Sequence, residues 1–99
     1  MPKPNAKHWP SLKEAWDDYG HCVEWNDLVD MKVNRDCYAV LLFKAGDDFY
    51  EVADLARGGR NAPWEMQNDG SAPISMKQWK GLHISEDCDS YVIPAEENL

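Results

Sequence analysis

Tyr38-Ala-Val-Leu-Leu-Phe43 is the longest unbroken apolar run in the chain, and turn-forming clusters bound it on both sides: Asn34-Arg35-Asp36 and Lys44-Ala-Gly-Asp-Asp48. Alternate side chains of a strand point to opposite faces of its sheet, so a strand that is apolar throughout must be covered on both faces. The run is also far shorter than the about 20 apolar residues a membrane-spanning helix needs. Around it the pattern changes to period two. Val29, Met31 and Val33 alternate with Asp30 and Lys32 before it, and polar residues interrupt the segment Phe49 to Leu55 after it. Together these segments predict a three-stranded antiparallel meander whose middle strand has no solvent face.

One cover is legible nearby. Leu12, Ala15, Trp16 and Tyr19 fall at i, i+3, i+4 and i+7, one apolar stripe of a helix over 11–19. Ser11 and Glu14 have the spacing of a capping box, and Gly20 stands where a left-handed glycine ends a helix. The three prolines in the first ten residues make 1–10 read as an extended arm, with Trp9 placed to fold back as a hydrophobic staple. The second cover must come from the C-terminal half. There, residues 57–73 are rich in turn formers and read as a long loop, of a length that is often functional. Ile74 to Leu82 suits a strand or a short helix about equally. Tyr91-Val-Ile93, ahead of Pro94, reads as a short strand at a sheet edge, and 95–99 as a frayed tail. At 99 residues the chain is expected to be one domain, 1–99. The fold class that follows is α+β: an N-terminal helix packed on a small antiparallel sheet, a three-stranded meander plus a C-terminal strand.

Charge narrows the partners. Eighteen acidic against ten basic residues give a net charge of −8. That balance disfavours direct binding to nucleic acid or to an anionic membrane surface, both of which attract Lys and Arg. Three cysteines, Cys22, Cys37 and Cys88, form an odd set with no CxxC spacing, and no apolar run follows the early lysines. A cytoplasmic protein with free thiols and no cofactor is the expectation.

Few residue groups suggest chemistry. Zinc wants four ligands in close pairs, which His21-Cys22, Cys37 and His83-x4-Cys88 do not supply. Asp87-Cys88-Asp89 opens like a calcium loop, but Val92 stands where that loop needs glycine. A cysteine nucleophile with a histidine base is a matter of spatial adjacency, and no activating element accompanies any of the three cysteines. Arg57-Gly-Gly-Arg60 could offer backbone N–H groups and guanidiniums to an anion, against the plainer reading of a solvated loop.

The acidic residues themselves carry the most information. Asp17 and Asp18 lie in the last turn of the expected helix, where the macrodipole disfavours negative charge by about 0.3 kcal/mol or more each. Asp47 and Asp48 sit at a hairpin tip, with Glu51 and Asp54 following. Carboxylates so spaced can imitate the phosphates of a nucleic acid, although Asp is also common in turns and charge aids solubility. Arg57, Arg60, Trp64 and Met66 share the long loop and belong to the residue types enriched at interfaces. A loop tryptophan pinning its own loop to the core is the commoner arrangement.

The leading expectation is therefore a non-enzymatic binding protein that occupies a basic or nucleic-acid-binding surface of a partner protein through Asp17, Asp18, Asp47, Asp48, Glu51, Arg57, Arg60 and Trp64. In size and charge alone it is similar to the small acidic proteins by which phages inhibit host nucleases and defence systems. Two other readings stand beside it: a small metal-binding or Cys/His-dependent enzyme using the cysteines and histidines, and a subunit whose sheet edge pairs with a second copy.

Overall fold

The computed structural model describes residues 7–19, 23–68 and 73–96. The apolar run forms β2 (Tyr38–Lys44), between β1 (Leu28–Asn34) and β3 (Tyr50–Ala56) in an antiparallel meander. Every residue of β2 except Lys44 is buried. Its alternate side chains feed two separate clusters. Ala39, Leu41 and Phe43 join Leu12, Trp16, Trp25, Leu28, Met31, Ala53, Leu55 and Trp64 on one face. Tyr38, Val40 and Leu42 join Val52, Ile74, Trp79 and Leu82 on the other. Each fully buried aliphatic or phenylalanine side chain contributes roughly 1.5–3 kcal/mol. The double cover demanded by the run is what organises the α+β fold.

The first cover is α1 (Trp9–Tyr19), whose Leu12 and Trp16 are buried as the stripe requires. It starts earlier than the capping box implies. The Leu12 N–H already donates to the His8 carbonyl at 3.1 Å, so Ser11 lies inside the helix and cannot cap it. Pro10 is no obstacle, because the N–H it lacks would have no partner in a first helical turn. The extended arm 1–10 is thus corrected at its C-terminal end. Lys7 and His8 form a turn, Trp9 opens the helix, and its ring meets that of Trp25 edge-on at 4.5 Å rather than acting as a staple. The rest of the arm, residues 1–6, and the expected glycine cap at Gly20 lie outside the described residues.

A single 3-10 turn, Trp25–Asp27, leads into β1. A bulge between Leu28 and Asp30 interrupts the β1 ladder. The expected alternation therefore holds for Met31 and Val33, which face α1, whereas Val29 packs into the opposite cluster.

The long loop 57–73 is corrected as well. Its middle forms a strand, β4 (Glu65–Asn68), which pairs antiparallel with β3, so the sheet order is β1-β2-β3-β4. Only Trp64 and Met66 alternate there, too few residues to register as a strand among turn formers. Part of the same segment, residues 69–72, lies outside the described residues.

The second cover is α2 (Met76–Gly81), and its start carries the capping box that α1 lacks. The Ser75 hydroxyl accepts from the Gln78 N–H at 3.1 Å, and the Gln78 side chain accepts from the Ser75 N–H at 3.0 Å. The strand and helix signals over 74–82 are both real, because Ile74 exchanges two 2.8 Å bonds with Tyr50 before the helix begins. Lys32 of β1 then donates to the carbonyls of Trp79 at 2.7 Å and Leu82 at 2.6 Å, and Asp30 accepts from the Trp79 indole at 2.9 Å. Burial pulls the Lys32 ammonium below its ordinary pKa, with Asp30 opposing. The last strands, β5 (His83–Ile84) and β6 (Tyr91–Val92), pair only with each other. The fourth strand of the main sheet is therefore β4, not the C-terminal strand. Of the expected tail, Ala95 and Glu96 are exposed and 97–99 lie outside the described residues.

Candidate functional site

Of the eight residues singled out from the sequence, Asp47, Asp48 and Glu51 stand at the β2–β3 hairpin, Arg57, Arg60 and Trp64 at the other end of β2, and Asp17 and Asp18 on α1, where Asp18 borders Arg57, Arg60 and Trp64. The first group surrounds the β2–β3 hairpin. Its turn is closed by the Ala45 N–H donating to the Phe49 carbonyl at 3.2 Å. The Phe49 ring lies over Gly46, where a Cβ would meet it at 2.8 Å. Asp47 and Asp48 are left exposed at the apex. The Trp16 ring stacks on Phe43 at 4.2 Å, which sets the C-terminal half of α1 over the part of the sheet where β2 ends. Asp17 and Asp18 follow, both exposed. Glu51 stands opposite Phe43 in the ladder and is half-buried.

Asp17 and Asp18 point to different sides of the helix, as successive helical residues must. Asp17 accepts from Lys13 at 2.5 Å and lines a shallow cleft of about 370 Å³ with Glu24 and Trp25. This exposed i,i+4 pair contributes about 0.3–0.5 kcal/mol and leaves the carboxylate solvated. Asp18 lines a groove on the other flank, with Tyr19, Pro63, Trp64 and Glu65. Glu24 and Asp27, beside the 3-10 turn, are exposed and extend the acidic surface.

The second group, Arg57, Arg60 and Trp64, lies where β3 leaves the sheet, and it holds the fold together. Trp64 is 4% exposed and belongs to the core under α1. The Arg57 guanidinium sits 4.8 Å over its ring, and His8 meets it edge-on at 6.3 Å. Arg57 in turn pairs with the Asp36 carboxylate and donates from Nε to the Asp36 carbonyl at 2.6 Å. His8 Nδ1 lies 3.0 Å from the other Asp36 oxygen. Trp64 thus pins its own loop, and Arg57 is committed to Asp36. Of this group only Arg60 is exposed.

The protein matches no family model, no curated protein and no solved structure.

The thiols bear on the enzymatic reading. Cys37 and Cys88, far apart in sequence, are neighbours: both donate to the Asn34 carbonyl, at 3.3 and 3.9 Å, and the Asn34 amide reaches the Cys88 sulfur at 3.1 Å. Burial, reinforced by the Cys88 thiol, pushes the Cys37 thiol above its ordinary value. It is therefore protonated at neutral pH, whereas a nucleophilic cysteine needs the thiolate. Cys22 and His21 lie outside the described residues. Among the described residues no three His, Cys, Asp or Glu side chains are grouped to hold a metal ion, and no helix is long and apolar enough to cross a membrane.

Asp54, grouped by sequence with the hairpin carboxylates, is instead a buried charge of the second face. Asp54 is 2% exposed, accepts from the Tyr38 hydroxyl, and takes a 3.1 Å bond from the Asn68 amide. Burial and this carboxylate push the Tyr38 phenol far above its ordinary value, and Tyr91 moves the same way. The only sequence signal was an aspartate at an inward position of a strand, which the surrounding acidic residues disguised.

Proposed function

We propose that this is a non-enzymatic binding protein whose exposed carboxylates dock on a basic, nucleic-acid-binding surface of a partner protein. The single observation behind the reading is the exposure of Asp17, Asp18, Asp47 and Asp48 on two elements, α1 and the β2–β3 hairpin, joined through the Trp16–Phe43 stack. A helix and a hairpin braced by a shared core present their carboxylates at fixed spacing, as a surface must if it is to replace a phosphate backbone. None of the four is needed for packing. A nuclease, or another enzyme that grips nucleic acid through Lys and Arg, is the partner chemistry that fits, as for the acidic inhibitors that phages make.

The self-pairing alternative has less support. The β1 edge and the β4 edge each carry a bulge, which twists an edge strand away from a second chain.

The test is retention of a partner from a lysate of the source cell. Binding should weaken steeply from about 0.1 to 1 M salt, over which the screening length falls from about 10 to 3 Å. Replacing Asp17, Asp18, Asp47 and Asp48 together by Lys should abolish retention while leaving the circular dichroism spectrum unchanged. Retention that ignores salt, or that survives the quadruple replacement, defeats the proposal.

A further inference from the structure

The basic residues of this acidic chain are unevenly placed. Its three arginines, Arg35, Arg57 and Arg60, all line one cleft of about 420 Å³, together with Lys7, Asp36, Cys37, Gly58 and Gly59. Four cationic side chains face one carboxylate there, in a chain whose net charge is −8. Such a concentration is opposite to what composition alone would distribute.

The cleft is also built rather than incidental. Arg57 forms its fixed floor, held by the Asp36 carboxylate, by the Asp36 carbonyl and by the Trp64 ring. Lys7, Arg35 and Arg60 are exposed and have no ion-pair partner among the described residues. Gly58 and Gly59 have nothing within 4 Å of where a Cβ would stand, so packing does not call for glycine at either position. Their bare backbone leaves a ligand free to approach closely.

The turn that supplies Arg35 carries strain. Arg35 and Asp36 both adopt left-handed backbone angles, φ 53° and 57°, and the Cys37 N–H closes the turn on the Asn34 carbonyl at 3.1 Å. Turns of this kind favour Asn-Gly, and arginine is a poor choice for the first position. Backbone strain of this sort persists where the surroundings enforce it, and it gathers at binding sites. Here Arg57 grips Asp36 and enforces the turn, which aims Arg35 at the cleft.

We infer that this cleft binds the phosphate group of a small molecule, a phosphomonoester or a nucleotide. Guanidinium forks and open glycine backbone are the groups that recognise phosphate oxygens. The volume suits a small ligand. A nucleic-acid strand does not suit the same site, for electrostatic reasons. Arg57 and Arg60 also border a neighbouring cleft that contains Glu14 and Asp18, so the positive region stops short on that side. The acidic hairpin lies the length of β2 away, roughly 20 Å. That distance exceeds the about 8 Å screening length, so a compact anion is not repelled by the hairpin, whereas a long polyanion would meet it. The inference rests on other side chains than the acidic docking surface, whose Asp18 borders the same arginines from the neighbouring cleft.

The test is a titration of the intact protein, followed through its backbone amide signals, with inorganic phosphate, adenosine diphosphate, adenosine and a single-stranded oligonucleotide. Saturable shifts centred on residues 35 and 57–60 are expected for phosphate and for adenosine diphosphate, with none for adenosine. Saturation by inorganic phosphate alone would name a free phosphate site, and tighter binding of the diphosphate a nucleotide site; both support the inference. Arg60→Gln should weaken binding about tenfold, the consequence of one lost charge-assisted bond. Arg35→Asn should weaken it comparably while raising the thermal midpoint, because asparagine accepts the left-handed angle that arginine resists. Lys77→Gln, on α2 and outside the lining of the cleft, should change neither. Failure of both anions to saturate overturns the inference. So does an Arg35→Asn variant that gains stability and keeps full affinity, or an oligonucleotide that outcompetes both anions at the same residues.

Discussion

Replacing Trp64 by alanine tests whether the β3–β4 loop is an interface or a piece of the core. The indole is 4% exposed, packed under α1, and roofed by the Arg57 guanidinium at 4.8 Å. Truncating a buried aromatic to alanine costs about 3–5 kcal/mol. The stacked cation adds about 0.5–2 kcal/mol, and its loss also loosens the Arg57–Asp36 pair. A total near 4 kcal/mol or more would remove a large part of the about 5–15 kcal/mol that holds a domain of this size folded. At 4–8 °C per kcal/mol, the thermal midpoint should fall by roughly 15–30 °C. Urea denaturation followed by circular dichroism gives the free energy directly, provided that the slope is unchanged. Trp64→Phe keeps a ring beneath Arg57 and should cost only roughly 1–2 kcal/mol. Arg60→Ala, at an exposed position of the same loop, should stay within about 0.5 kcal/mol of the parent. If the alanine variant melts within about 4 °C of the parent, the indole is not a core residue and its assigned role is wrong.

Other measurements probe the second face. Alkaline titration should destabilise the protein. The Tyr38 and Tyr91 phenols lie above their ordinary value of 10.0 in the fold, and the Cys37 thiol above 9.0. Below pH about 9 both folded and unfolded chains keep these protons. Above it the unfolded chain releases protons that the fold retains, so stability falls by up to about 1.4 kcal/mol per pH unit for each group. Lys32, whose folded value is lowered, acts with the opposite sign but is a single group. Tyr38→Phe should flatten the decline, and a stability curve level from pH 8 to about 11 would refute the assignment. Lys32→Met removes the ammonium from the carbonyls of Trp79 and Leu82. It should cost about 1.5–3 kcal/mol, with hydrogen exchange rising first in residues 76–84; no change in exchange there would show that the clamp does not hold α2.

Much of the sheet was legible because its signals are local. Turn clusters bound the apolar run Tyr38–Phe43 on both sides, and alternation marks the neighbouring strands, so the meander needs no knowledge of distant residues. The stripe of α1 is local in the same sense. Its first residue is not, because Ser11 offers a capping box and Pro10 looks like a boundary, while the chain uses Pro10 within the first turn. β4 was hidden because Glu65–Asn68 owes its existence to the free edge of β3 and to the pocket that takes Trp64. Of the candidate residues, the exposure of Asp17, Asp18, Asp47 and Asp48 follows from helix and turn positions that the sequence shows. The fate of Arg57 and Trp64 does not, because it depends on Asp36 and His8, which belong to other elements.

The sequence by itself determined that β2 is covered twice, that α1 supplies one cover, and that the chain carries −8 with two projecting acidic pairs. Only the tertiary structure decided what the remaining charges do. The chain is short in basic residues, and folding brings Lys7, all three arginines and the Gly58-Gly59 backbone to one cleft, while Asp36 takes Arg57 and Asp54 is buried against Tyr38 and Asn68. The difference has a plain physical cause. Hydrophobic periodicity is written along the chain, whereas the meaning of a charge depends on which residues, distant in sequence, come within a few ångströms of it.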